Sequence, residues 1–131
     1  MIHDKDYIIR IVRQFSDFLS GLLLGKNEGE LSEQDIVFET QMKDVFKMEF
    51  PALDAMSIEE ISALVDSKDA AHQPAYIELL GNLFFYKFQE EKTRERALKA
   101  KFFYEKWLSE SQIFSLPVMA RLGELKSFTG S

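Results

Sequence analysis

The pattern of apolar and polar positions along the chain is helical from end to end. With residues placed about 100° apart around an axis, Tyr7, Ile8, Ile11, Val12, Phe15, Phe18, Leu19, Leu22 and Leu23 fall on one arc. Arg10, Arg13, Asp17 and Ser20 occupy the other side. Asp4 or Asp6 can cap the start of this first helix, and Gly25 supplies a left-handed stop. The Gly-Lys-Asn-Glu-Gly stretch at 25–29 reads as a loop. Ser32 with Asp35 is a short-armed capping box that opens a second helix, with Phe38, Met42, Val45 and Phe46 along one face. Pro51 forces Phe50 out of helical geometry and is expected to end it. Ser57 with Glu60 is a cleaner capping box and starts a short helix bearing Ile58, Ile61, Leu64 and Val65.

The next helix is predicted to begin at His72-Gln73-Pro74, because proline suits the first helical turn. It is apolar almost all round. Tyr76, Leu79, Leu80, Leu83 and Tyr86 form one side, and Ile77, Phe84 and Phe88 form the other with Gly81. Glu78, Asn82 and Gln89 make its polar strip. A helix apolar on two sides is normally packed between neighbours, so Leu80, Leu83 and Phe84 are expected to be buried. Gly81 costs about 1 kcal/mol of helix propensity relative to alanine. Close approach of another helix is the expected compensation. Thr93 can cap a fifth helix over 94–109, with Ala97, Ala100, Phe103, Tyr104, Trp107 and Leu108 on its main face and Leu98 and Phe102 on the opposite, otherwise charged side. Ser115 and Pro117 then start a last helix with Val118, Met119, Leu122 and Leu125. No segment shows strand alternation. The pattern predicts one all-α domain over 1–131, built as antiparallel helical hairpins with five to six helices.

Composition narrows the function classes. The 131 residues suit a single domain. The chain has no cysteine, which rules out disulfides, thiolate metal sites and cysteine nucleophiles and fits a reducing compartment. No apolar run approaches the ~18 residues of a membrane span, and the start lacks the basic character of a signal peptide, so a cytoplasmic location is expected. The first helix could lie on a lipid surface through Arg10, Arg13 and Lys26, but Asp4, Asp6 and Asp17 offset them, and packing into the domain is expected instead. A net charge of −6 disfavours DNA binding. The charge is uneven: residues 27–70 hold 12 acidic and 3 basic side chains, and residues 87–106 hold 7 basic and 4 acidic ones. The two segments are solvated faces of different sign, or they attract each other within the chain or between copies.

A search for reactive groups finds little. His3 and His72 are the two histidines, and neither belongs to a His-x-x-x-His or Glu-x-x-His spacing. Glu59-Glu60 and Glu90-Glu91 are adjacent pairs whose side chains point about 100° apart on a helix, so they do not converge unaided. No serine sits in a Gly-x-Ser-x-Gly elbow. Gly25-Lys26 follows a helix rather than the strand a phosphate loop requires. No catalytic residue, metal ligand or cofactor is expected, nor a small-molecule ligand.

Aromatic residues are the conspicuous feature. Phe alone accounts for 12 positions, and Phe84-Phe85-Tyr86-x-Phe88 and Phe102-Phe103-Tyr104 with Trp107 crowd two consecutive helices. Rings in excess of one small core favour protein partners. Phe85, Leu98 and Phe102 are therefore the candidate partner-binding residues. Stacking of bases on the basic aromatic segment 84–107 is an alternative use, in contact with RNA.

The stretch Ala75–Ser109 resembles a degenerate tetratricopeptide-type helical pair. The residues that carry the likeness are Leu80-Gly81 with Phe84 in the first helix, and Ala100, Tyr104-Glu105-Lys106 and Leu108 in the second. Trp107 departs from the usual alanine, and the interval from Gly81 to Ala100 exceeds that of the standard unit. The whole chain also resembles a group of small bacterial helical proteins that share a hydrophobic first helix ending in Gly-Lys and a terminal pair like this one. The resemblance implies a small residue where two helices cross, an aromatic beside it, and a binding scaffold without catalytic residues. The expectation is a non-catalytic module that binds a protein partner or itself. The alternative from another class is an enzyme or ligand-binding domain with a site assembled between helices.

Overall fold

The computed structural model describes residues 4–25 and 30–130. Among them are seven α-helices: α1 Asp4–Leu23, α2 Leu31–Phe46, α3 Phe50–Asp54, α4 Ile58–Asp66, α5 Gln73–Glu90, α6 Arg94–Ser111 and α7 Leu116–Thr129, with a 3-10 turn at Ala70–His72 before α5. No strand occurs among the described residues.

Most boundaries follow local chemistry. Gly25 ends α1 in the left-handed region at φ +69°, and its N–H donates to the Leu22 carbonyl. Ser57 and Glu60 form the reciprocal capping box, at 3.0 and 2.9 Å. Thr93 and Ser115 accept from the N–H groups of Arg96 and Val118. Two expectations are corrected. The cap of α2 is Glu30, with no side-chain bond, and Ser32 lies inside the first turn. Pro51 does not end α2. That helix stops at Phe46 because Lys47 turns left-handed (φ 60°), and Phe50-Pro51 opens the separate helix α3. Proline lacks an N–H that a first helical turn leaves unused. This added helix takes the count to seven. Asp6 lies within α1; His3 and the Lys26–Gly29 stretch lie outside the described residues.

The core is built around α5. Leu79, Leu80, Leu83, Phe84 and Phe88 are wholly buried, as the two-sided apolar pattern requires. Gly81 faces Tyr104, and the Lys87 carbonyl accepts from Arg96, so α5 and α6 run antiparallel. Arg94 near the start of α6 meets the Thr129 carbonyl at the end of α7, and Tyr104 further along α6 meets Arg121 earlier in α7, so α6 and α7 are antiparallel as well. On the other flank, Val12, Phe15 and Leu19 of α1 enter the core. Phe38 of α2 packs against Phe15 and Tyr86, and Phe46 against Tyr76, which sets α2 antiparallel to α5. Helix α3 is short but contributes Phe50 against Phe84, at 5.8 Å between ring centroids, and the fully buried Leu53.

Candidate functional site

Two features of the molecule could bear function: a polar cluster inside the fold and an apolar surface at the corner between α6 and α7.

The polar cluster centres on Asn82, which is 2% exposed although it lies on the polar strip of α5. Its amide nitrogen donates to the Ser16 hydroxyl at 2.8 Å and to Ser20 at 3.4 Å on α1. Its carbonyl accepts from the Tyr104 hydroxyl at 2.7 Å and from Arg121 at 3.1 Å, and Arg121 also donates to the Tyr104 oxygen. Four helices thus meet through one amide. Burial pushes the Tyr104 hydroxyl well above its ordinary range, against the opposing pull of Arg121, so it stays a donor. One turn earlier, burial raises the Glu78 carboxyl; Asp17 adds to this, and Arg13 and Arg121 oppose it. Every polar atom of Asn82 is matched, so the cluster fixes the packing of α1, α5, α6 and α7.

The basic segment is similarly consumed. Lys87 lies 3.0 Å from Glu90, and its ammonium sits 4.3 Å from the Phe38 ring centroid and 5.0 Å from that of Phe50. Arg96 pairs with Asp54 at 3.4 Å, Lys99 donates to the Asp54 carbonyl at 2.6 Å, and Lys92 pairs with Glu124. Arg94 donates to the Thr129 carbonyl, and Lys106 pairs with Glu110. The charge asymmetry of the sequence is thereby met partly inside the chain, where α6 lies against α3. Two grooves of about 400 Å³ border this seam. One is lined by Met56, Ile58, Leu98 and Lys99 together with Glu59, Glu60 and Glu95. The other is lined by Phe38, Phe50, Lys87 and Arg96. Among the described residues, no group of three or more His, Asp or Glu is placed to hold a metal ion. The Glu59-Glu60 and Glu90-Glu91 pairs serve caps and ion pairs: Glu60 closes the capping box, and Glu90 and Glu91 face Lys87 and Arg96. Among the described residues, no helix is long and apolar enough to cross a membrane.

The residues singled out for partner binding lie apart. Phe85 is 5% exposed, enclosed by Phe88, Tyr104 and the Arg121 guanidinium, and offers a partner no surface. Leu98 and Phe102 are half-buried. Leu98 borders the groove formed with Ala55–Glu60, and Phe102 packs edge-on against Phe103 beneath Lys106. Helix α7 reaches α6 through Tyr104 and Glu105.

The apolar surface lies elsewhere, in Ser111–Ala120, ten consecutive residues without a charge in a chain that is 29% charged. Ile113, Phe114, Leu116 and Met119 are 54%, 73%, 70% and 46% exposed. Helix α7 buries Val118, Leu122, Leu125 and Thr129 on one side. The opposite side presents Leu116, Met119, Ala120, Gly123 and Ser127, all exposed and none charged. A helix face turned to solvent ordinarily carries its polar residues. Of the apolar residues that the sequence groups on the last helix, Val118, Leu122 and Leu125 go inward and Met119 outward; the uncharged run was the signal available for its exposure. Comparison of the chain with family models, with curated proteins and with solved structures finds no match.

Proposed function

We propose that the chain is a non-catalytic interaction module, tetratricopeptide-like in its second half, which binds a protein partner or a copy of itself. The observation that carries this reading is the uncharged outward face of α7 together with Ile113 and Phe114. Contiguous exposed apolar surface of this kind marks interaction sites. The tetratricopeptide-like reading is supported by the antiparallel pair α5–α6, by Gly81 at their crossing and by Tyr104 beside it. The non-catalytic reading is supported by the convergent polar side chains, which are bonded to one another rather than aimed into a cavity. A cytoplasmic location fits a chain without cysteine. The cations of segment 87–106 are engaged within the fold, so the protein reading is favoured over contact with RNA.

Affinity capture from lysate, run in parallel with the wild-type chain and with Phe114→Asp and Leu116→Asp variants, tests the reading. Proteins held by the wild type, its own untagged copies included, are expected to be lost from both variants while the melting temperature is unchanged. The same set of proteins on all three chains would overturn it.

A further inference from the structure

The outward face of α7 has a register that matches itself. Leu116 projects from it at 70% exposure. Two helical turns later, on the same face, Gly123 carries no side chain and faces open space: a Cβ built there meets no atom within 4 Å. Met119 and Ala120 lie midway between them, both exposed. From this geometry we infer that two copies of the chain pair through antiparallel α7 helices, about a two-fold axis passing between Met119 and Ala120. This deepens the interaction reading above and rests on it.

The register follows from the symmetry. In an isologous antiparallel pair, residues equally distant from the axis face each other. Leu116 of each copy then packs over the bare backbone at Gly123 of the other, where no side chain blocks its approach. Met119 of each copy packs on Ala120 of the other. Ile113 and Phe114 continue the face beyond the N-terminal end of α7, toward the C-terminal turns of the second copy's α7.

Charge selects a second copy over a charged partner. Each chain carries −6, so most of its surface repels its twin. The α7 face has no charge to oppose self-association and none with which to attract an ionic partner. The charges on its flanks are neutralised within the chain: Glu124 accepts from Gln89 at 2.6 Å and lies 3.7 Å from Lys92, and Lys126 lies 3.9 Å from Glu105. The four large apolar side chains expose a few hundred Å², and the adjoining Gln112, Pro117 and Ser127 are also exposed. This is smaller than the ~800 Å² per partner of a standard interface. The expected dimer is therefore reversible and concentration-dependent.

Sedimentation of the purified full chain over a micromolar-to-millimolar series tests the inference. The wild type is expected to shift from monomer to dimer, and added salt is expected to preserve or strengthen the dimer, since it screens the repulsion between acidic chains. Leu116→Asp and Gly123→Leu are each expected to raise the dissociation constant by about tenfold or more. Gly123→Leu is the cleaner variant, because its side chain meets nothing inside the monomer and improves helix propensity. The monomer is expected to melt no lower, so loss of the dimer cannot be ascribed to unfolding. The native chain has no cysteine. A chain carrying Leu116→Cys with Gly123→Cys is therefore expected to form a covalent dimer under mild oxidation, while Glu33→Cys with Asp44→Cys on α2 is not. A wild-type monomer at every concentration overturns the pairing, and so does a dimer that survives both α7 variants or dissolves as salt rises. The capture experiment is decided separately: proteins other than the chain itself, lost with Leu116→Asp, would sustain the interaction reading even where self-pairing fails.

Discussion

The Tyr104 ring occupies the space that a Cβ at Gly81 would need. Such an atom would lie 2.5 Å from Cδ1, 2.7 Å from Cε1 and 3.1 Å from Cγ of that ring. The ring cannot swing aside cheaply, because its hydroxyl is bonded to Asn82 and Arg121 and the residue is fully buried. Gly81→Ala is therefore expected to destabilise the fold by about 1–3 kcal/mol through overpacking, outweighing the ~1 kcal/mol that alanine gains in helix propensity. Urea denaturation checks the sign. A higher midpoint in the variant would mean that the ring yields.

This contact shows which parts of the fold could be read from the chain and which could not. That Gly81 sits in a helix apolar on both sides was enough to expect a close neighbour, and Leu80, Leu83 and Phe84 are buried as that pattern demands. The caps at Ser57, Thr93 and Ser115 are local chemistry and were equally legible. Asn82 was not. Its polarity reads as a solvent strip, and the partners that bury it come from three other helices, the nearest of them 22 positions away. No local pattern announces them. Pro51 is ambiguous for a different reason: one residue can end a helix or open one, and the left-handed Lys47 upstream decides the matter. On α7, apolar residues occupy both sides of the helix, and only the placement of α5 and α6 determines that Val118 and Leu122 go inward and Leu116 and Met119 outward.

The Asn82 cluster yields a graded prediction. Tyr104→Phe removes one donor but leaves the Asn82 carbonyl bonded to Arg121, so a loss of about 1 kcal/mol is expected. Asn82→Ala removes the partner of Ser16, Tyr104 and Arg121 together and opens a hole beneath them. Its cost is expected to exceed that of Tyr104→Phe by about 1–3 kcal/mol, the penalty for buried polar groups left unpaired. Chemical denaturation of the two variants, compared in one buffer, measures the difference. Equal losses would mean that Asn82 acts only through Tyr104.

Glu78 is held above its ordinary carboxyl value of 4.5, chiefly by burial and secondarily by Asp17. The folded chain therefore keeps this proton to a higher pH than the unfolded chain. Above pH 4.5 the unfolded state binds fewer protons at this site, so its contribution to stability falls as pH rises through the folded value. At neutral pH the charged carboxylate is a small net cost, although Arg13 and Arg121 reduce it. Glu78→Gln is expected to stabilise the protein at neutral pH by about 0.5 kcal/mol after solvent screening. The gain is expected to vanish below pH 4.5, where both states carry the proton. Urea midpoints of the two chains at both pH values test it, and a destabilised variant at neutral pH would show that the arginine contacts dominate.

At the alkaline end the tyrosines set the limit. Tyr86 is pushed up to about 12 from its ordinary 10, first by burial, then by the charge and hydrogen bond of Glu90, and then by Asp35. Burial also raises Tyr76 and Tyr104. In the folded chain these hydroxyls hold their protons where the unfolded chain has begun to release them. Their contribution to stability is thus complete below pH 10 and is lost as pH rises toward 12, because each phenolate formed in the unfolded state draws the equilibrium away from the fold. Lysines also titrate in this range, so the decisive quantity is a difference between two chains. Tyr86→Phe cannot ionise at that position, and its urea midpoint is expected to fall less steeply than that of the wild type between pH 10 and 12. Phenolate absorbance followed in the same samples is expected to lag in the folded wild type and to rise abruptly on unfolding. Parallel slopes for the two chains would mean that Tyr86 ionises as freely in the fold as outside it.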